Sequence, residues 1–180
     1  MNSIVSEVYS EALFDLGKEN NSLDSKQKDL VYIKRILDEN EDLRKLLQNP
    51  NVQKSDKKEV VDTIFAGVDR ESLNFVKVLI DKSRFNYIND IFDGFFKRYD
   101  KENNIARGVL TSARPMPEED LKTIKEALTK KLDKKVELDV DVDPSLMGGF
   151  SIKIDGKLID NSLKNRLLDL KSSLKERGEL

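Results

Sequence analysis

Residues 143–170 read DPSLMGGFSIKIDGKLIDNSLKNRLLDL. A glycine pair, Gly148-Gly149, stands before a strand-like alternation, and the spacing then turns helical within a few residues. Three structures compete for such a stretch: a phosphate loop, a calcium loop and a purely mechanical turn. A phosphate loop requires G-x-x-x-x-G-K-[ST], so that clustered backbone N–H groups and one lysine enclose the phosphates. Here Gly156-Lys157 is followed by Leu158, and Ser151 stands where the first glycine belongs. A calcium loop would draw ligands from Asp139, Asp141 and Asp143, but Pro144 sits at the obligatory glycine and Phe150 at the bidentate glutamate. What remains is backbone mechanics. Pro144 ends a strand, Gly148 and Gly149 permit positive φ or close backbone approach, and Asp155-Gly156 suits a tight turn. The glycines are expected to form a structural hinge into a sheet.

Composition narrows the function. The chain has 180 residues, of which 38% are hydrophobic and 37% charged. Its 32 basic and 34 acidic residues leave a net charge of −2, so no general basic field draws nucleic-acid phosphates. Histidine and cysteine are absent, which removes disulfides, imidazole or thiolate metal sites and the commonest general base. No catalytic, cofactor-binding or metal-binding residues are expected. The opening MNSIVSEVYSEALFDLG lacks a basic start followed by an apolar block, so it does not read as a secretory signal. No run approaches the ~20 apolar residues of a membrane span. The expectation is a soluble, cytosolic product.

The fold class expected is mainly α: an antiparallel six-helix bundle over residues 1–104, then a smaller α/β domain over 105–180. Ile4, Val5, Val8, Tyr9, Ala12, Leu13 and Leu16 share one side of a first helix begun near Ser3. Leu30, Ile33 and Leu37 mark a second, and Leu43, Leu46 and Leu47 a short third, stopped by QNPN at 48–51. Ser55 or Asp56 is placed to cap a fourth helix carrying Val60, Val61, Ile64 and Phe65, and Asp69 to cap a fifth. In that fifth helix Leu73, Phe75, Val76, Val78, Leu79 and Ile80 point nearly all round the axis, as in a central helix or one that meets a partner. Ile88, Ile91, Phe92, Phe95, Phe96 and Tyr99 give the sixth a clean i, i+3, i+4 stripe.

After KENN at 101–104 the period changes. Residues 105–112 suit a strand, and Pro117 the first turn of a helix buried through Leu121, Ile124, Leu128 and Leu132. Val136, Leu138, Val140 and Val142 alternate with acidic residues, which predicts a half-buried strand. Phe150, Ile152 and Ile154 repeat the pattern; the acidic side of Glu137, Asp139 and Asp141 reads as a solvated sheet face, the alternative being a place near Lys153 across a hairpin. Leu163, Leu167, Leu170 and Leu174 mark a terminal helix capped by Asp160 or Asn161.

These blocks together carry a resemblance. The opening stretch resembles the C-terminal signature of the δ subunit of F-type ATP synthase, the bacterial counterpart of the mitochondrial oligomycin-sensitivity-conferring protein. The family pattern, D-P-x-L-x-G-G, a strand, a G-D turn, then D-x-S before x-x-R-L, is met by Asp143, Pro144, Leu146, Gly148, Gly149, Asp160, Ser162, Arg166 and Leu167. It departs at Asp155-Gly156, where Gly-Asp is commoner, and at Asn161, where glycine is. VYSEALFDLG at 8–17, LQNPNV at 47–52, Asp56-Lys57, LNFVKVLIDKSR at 73–84 and TSARPM at 111–116 resemble further family blocks in the same order.

The resemblance implies a non-catalytic connector that holds the catalytic head to the peripheral stalk so that rotor torque drives ATP synthesis. It implies that the N-terminal helices bind N-terminal segments of the α subunits in a groove between the first and fifth helices. Val5, Tyr9, Ala12, Leu13, Phe75, Val76, Leu79 and Ile80 are the candidate lining. It implies further that the C-terminal part meets the b subunit, with Pro144, Gly148, Gly149, Asp160, Ser162 and Arg166 on the stalk side. A peripheral place on the cytoplasmic face of a bacterial membrane follows from the same likeness. One rival is an RNA- or ribosome-associated adapter using Lys130, Lys131, Lys134 and Lys135. Another is a hydrolase using Asp139, Asp141 or Asp160, which lacks any nucleophile–base pair.

Overall fold

The computed structural model describes residues 4–163 together with 165 and 166. The chain divides into two compact units, Met1–Lys101 and Glu102–Leu180. The first contains α1 (Ile4–Glu19), α2 (Leu23–Glu39), α3 (Glu41–Gln48), α4 (Lys54–Ile64), α5 (Arg70–Asp81), a 3-10 turn at Phe85–Tyr87 and most of α6 (Ile88–Glu102). These helices share one core in which Leu30, Ile33, Leu37, Val76, Leu79, Ile91, Phe92 and Phe95 are buried.

α1 departs from its expected orientation. Its buried side is Ser6, Ser10, Leu13, Phe14 and Gly17, while Ile4, Val8 and Leu16 face outward. The physical reason lies on α6. A Cβ at Gly94 would stand 2.6 Å from the Ser10 hydroxyl oxygen, so small residues on both helices let the backbones close up. A buried hydroxyl is costly unless bonded. Ser10 Oγ donates to the Glu7 carbonyl at 2.9 Å and accepts from Arg98 Nη1 at 3.2 Å. Phe14 meets Phe95 edge-on, with ring centroids 6.2 Å apart.

Asp69 caps α5 as expected, its carboxylate accepting from the Glu71 N–H at 3.0 Å. α4 is different. Its N-cap is Gln53, with no side-chain cap bond, and Ser55 Oγ spends its hydrogen on Asp56 at 2.8 Å instead. The buried stripe of α4 also runs through Lys57, Val61 and Phe65, leaving Ile64 exposed.

The second unit is a four-stranded sheet in the order β2-β1-β3-β4, from β1 (Ile105–Ser112), β2 (Lys135–Val142), β3 (Phe150–Ile154) and β4 (Lys157–Asp160). β1 pairs with β2 in parallel, which requires a crossover, and α7 (Glu118–Leu132) supplies it. Pro117 is the N-cap of α7. β3 runs antiparallel to β1 and β4. Asp155 (φ 49°) and Gly156 (φ 74°) form the two-residue turn between β3 and β4, where the sequence placed it. Leu110 stands opposite Val140 and Ile152, and Gly108 opposite Leu138 and Ile154. Ala106, Leu110, Leu128, Val136, Leu138, Ile152 and Ile154 make the core.

The solvated reading of the acidic face holds, since Asp139 and Asp141 are exposed, and the hairpin alternative fails. β2 and β3 are not a hairpin, because β1 lies between them. Lys153 therefore pairs with Val109, and Glu137 instead binds Arg107 at 2.6 Å and Lys135 at 3.3 Å. β2 is an edge strand, and only its first half packs into the core, so Val140 and Val142 are exposed. The expected helical positions Leu167, Leu170 and Leu174 lie outside the described residues. Leu163, Asn165 and Arg166 are helical.

Candidate interaction surfaces

The eight residues expected to line a groove on α1 and α5 separate into two sets. Leu13, Val76, Leu79 and Ile80 are core residues and offer nothing to a partner. Val5, Tyr9 and Phe75 are half-buried and Ala12 is exposed. Tyr9 and Phe75 touch edge-on at 6.4 Å, which joins the apolar edges of the two helices. Four further apolar residues of these helices, none of them in the expected lining, also reach the surface. Ile4 is 81% exposed, Val8 57%, Val78 43% and Leu16 38%. At 100° per residue Val8, Ala12, Val5, Leu16 and Tyr9 span about 100° of the α1 circumference, a full amphipathic face turned outward. The signal that would have identified it is the second stripe of the same helix. Ser6, Ser10 and Gly17 recur at helical spacing, and small residues mark a close helix contact.

Polar bonds hold this surface in place from below. Lys26, on α2, is buried and donates to Glu71 at 2.5 Å, and Asn20 Nδ2 donates to the same carboxylate at 3.1 Å. Ser72 Oγ donates to Asp29 at 2.8 Å. These bonds tie the end of α1, α2 and the start of α5 together. The Lys26 and Asn20 hydrogen bonds hold the Glu71 carboxyl below its ordinary value of 4.5.

In the second unit the glycine pair closes a packed crossing. Gly149 has φ 75°, and a Cβ there would collide with the Asn161 carbonyl oxygen; at Gly148 it would stand 2.5 Å from Leu163 Cδ1. The Leu163 N–H donates to Gly148 O at 3.0 Å, the Asn161 N–H to Phe150 O at 2.9 Å and the Ala113 N–H to Gly149 O at 3.3 Å. Bonded on both sides, the pair is a clamp rather than the expected hinge. Beside it an open groove of about 990 Å³ is lined by Met116, Ile124, Met147, Phe150 and Leu163, with Gly148 and Gly149 in its wall.

The remaining expected residues build the turn next to that groove. Asp160 accepts from the Ser162 N–H at 2.8 Å and also binds the Asn165 side-chain amide. Hydrogen bonds from the Ser162 hydroxyl, the Ser162 N–H and Asn165 hold its carboxyl below the ordinary 3.8. Ser162 Oγ, which neither capping expectation named, accepts from the Asn165 N–H at 3.3 Å in the position of an N-cap. Arg166 Nη2 donates to Asn161 Oδ1 at 2.6 Å. Pro144 opens a 3-10 turn in which Asp143 accepts from the Ser145 N–H at 2.9 Å. The lysines of the RNA reading are partly neutralised: Lys134 pairs with Asp155 at 2.8 Å and Lys135 with Glu137 at 3.3 Å.

A protein family described as "ATP synthase delta (OSCP) subunit" matches residues 5–174. The chain belongs to that family. It is 37% identical to the ATP synthase subunit delta of Acetivibrio thermocellus, over 97% of this chain and 99% of that one. It is 38% identical to the subunit delta of Clostridioides difficile, over 98% of each. Among solved structures, a chain of the Toxoplasma gondii mitochondrial ATP synthase hexamer shares the fold. The TM-score is 0.74 and the identity 23%, covering 96% of this chain and 98% of that one. As a delta-family subunit this protein is a non-catalytic stator component of an F-type ATP synthase, and the adapter reading finds no support. Among the described residues no helix is long and apolar enough to cross a membrane.

Proposed function

We propose that the two units are the two grips of the stator joint. The outward face of α1, with the neighbouring edge of α5, receives the N-terminal segment of an α subunit. The groove beside Gly148 and Gly149 receives the b subunit of the peripheral stalk. The carrying observation is the exposed run of Ile4, Val8, Ala12 and Leu16, continued through Tyr9 and Phe75, on a helix whose other side is already packed. An amphipathic helix laid on such a face would bury it by the helix-in-groove mode. Methionines on the second groove suit an apolar partner because their side chains adapt to its shape. Two grips of ordinary size, about 1,200–2,000 Å² of surface each, resist torque jointly without either being irreversible.

In this proposal the six helices of the first unit form an antiparallel bundle, and the protein sits peripherally at the cytoplasmic face of the membrane. The test is a photo-crosslinking residue placed singly at Val8 and at Met147 in the assembled enzyme. Position 8 should capture an α subunit and position 147 the b subunit. Exchanged partners, or b captured at both positions, would contradict the assignment.

A further inference from the structure

The N-P and D-K blocks of the sequence, at Asn49-Pro50 and Asp56-Lys57, find no use in the stator reading. Their surroundings contain a pocket of about 170 Å³, distinct from both proposed partner surfaces. It lies where the end of α3, the start of α4 and the connection from α5 to α6 meet. Lys57, Lys54, Gln48, Ser83 and Asn86 supply its polar wall, and no carboxylate lines it.

Lys57 is the anomalous residue. It occupies the core stripe of α4 and is only 7% exposed. Among the described residues no oxygen lies within hydrogen-bond or ion-pair distance of its ammonium. Its neighbours are better supplied. Lys54 donates to the Asp81 carbonyl at 2.6 Å, and Lys58 takes the Asp81 carboxylate at 2.9 Å. The nearest acid is therefore already engaged by another lysine. Burial, and then the charge of Lys54, pull the Lys57 ammonium below its ordinary 10.5. The Lys57 stem is packed in the core while its ammonium belongs to the pocket wall, and a perturbed, uncompensated charge in a cleft marks a candidate ligand site.

We propose that this pocket binds a free phosphate-class oxyanion, gripped by the Lys57 ammonium. Gln48 and Asn86 amides and the Ser83 hydroxyl, which make no side-chain hydrogen bond among the described residues, are the further donors that a three- or four-oxygen anion would use. A volume of about 170 Å³ is below the usual range for organic ligands, which favours an ion over a nucleotide.

The test is an amide-resolved NMR titration of the full chain with potassium phosphate, against potassium chloride and potassium acetate at matched ionic strength. Phosphate should give saturable shifts at Gln48, Lys54, Lys57, Ser83 and Asn86, with chloride and acetate weaker. Lys57→Met keeps the apolar stem and should weaken phosphate binding by about tenfold or more, as loss of a charged hydrogen bond does. In phosphate-free buffer it should fold and melt no lower than the parent chain. Asn86→Asp, at an exposed position on the rim, should also weaken binding. Unsaturable shifts, acetate binding as tightly as phosphate, or unchanged affinity in either variant would overturn the proposal. A Lys57→Met chain that folds poorly without phosphate would do so too, since the ammonium would then have a partner within the fold.

Discussion

Val8→Asp tests the proposed docking face without touching the core. Burying a valine side chain fully stabilises by about 1.5–3 kcal/mol. Val8 is 57% exposed in the free chain, so only that share is left for a partner to cover. Docking therefore gains about 0.9–1.7 kcal/mol at this residue, equivalent to a factor of about 4–18 in Kd. The aspartate adds the cost of drying a carboxylate, so a loss of about 20-fold or more is expected. The free protein should keep its stability within about 0.5 kcal/mol, because an exposed position is changed. The assay is fluorescence anisotropy of a labelled α-subunit N-terminal peptide titrated with the full chain, alongside urea denaturation. Repeating it at high salt separates the effects, since a loss of apolar contact persists while repulsion between exposed charges is screened. A folded Val8→Asp protein that binds the peptide as tightly as the parent would refute the outward-face assignment.

Leu79→Asp should behave in the opposite way. Leu79 is fully buried, so a carboxylate there should cost about 3 kcal/mol or more and unfold the first unit, seen as loss of helical circular dichroism. Gly94→Ala gains about 1 kcal/mol of helix propensity but overpacks against Ser10 by about 1–3 kcal/mol. A net loss of up to about 2 kcal/mol in urea denaturation is expected, largely recovered by adding Ser10→Gly. Gly149→Ala should destabilise the second unit by more than about 1 kcal/mol, since alanine is strained at φ 75° and its methyl meets a carbonyl. An unchanged melting transition would show that the crossing is loose. The Glu71 carboxyl is depressed in the fold, so its contribution to stability is fully present above about pH 4.5 and is lost as pH falls through its lower folded value. Glu71→Gln should therefore flatten the acid limb of stability measured by denaturation between about pH 5 and 3. An unaltered slope would separate Glu71 from that linkage.

Short-range chemistry was legible in several places, though not at the α4 cap, where Gln53 stands in place of Ser55 or Asp56. The β1 limits, the Asp155-Gly156 turn and the Asp69 cap follow from alternation, backbone preference and a side chain reaching its adjacent N–H. The stator assignment was also legible, because it rests on the order of short blocks along the chain. Which apolar residues of α1 and α5 stay at the surface was only half legible. Val5, Tyr9, Ala12 and Phe75 remain at the surface, whereas Leu13, Val76, Leu79 and Ile80 are needed by the fold.

The amino-acid order by itself determined the succession of helices and strands and the tight turn, each encoded within a few residues, and the family, encoded in the order of short blocks. Which side of α1 faces inward was decided only in three dimensions. Both sides could be buried, and the serine side wins because Gly94 lets α6 approach and Arg98, 88 residues from Ser10, completes the serine's bonding. The place of β1 between β2 and β3 was settled in the same way. Strand neighbours are chosen by crossover geometry and shared burial between distant segments, and alternation within one strand carries no record of either.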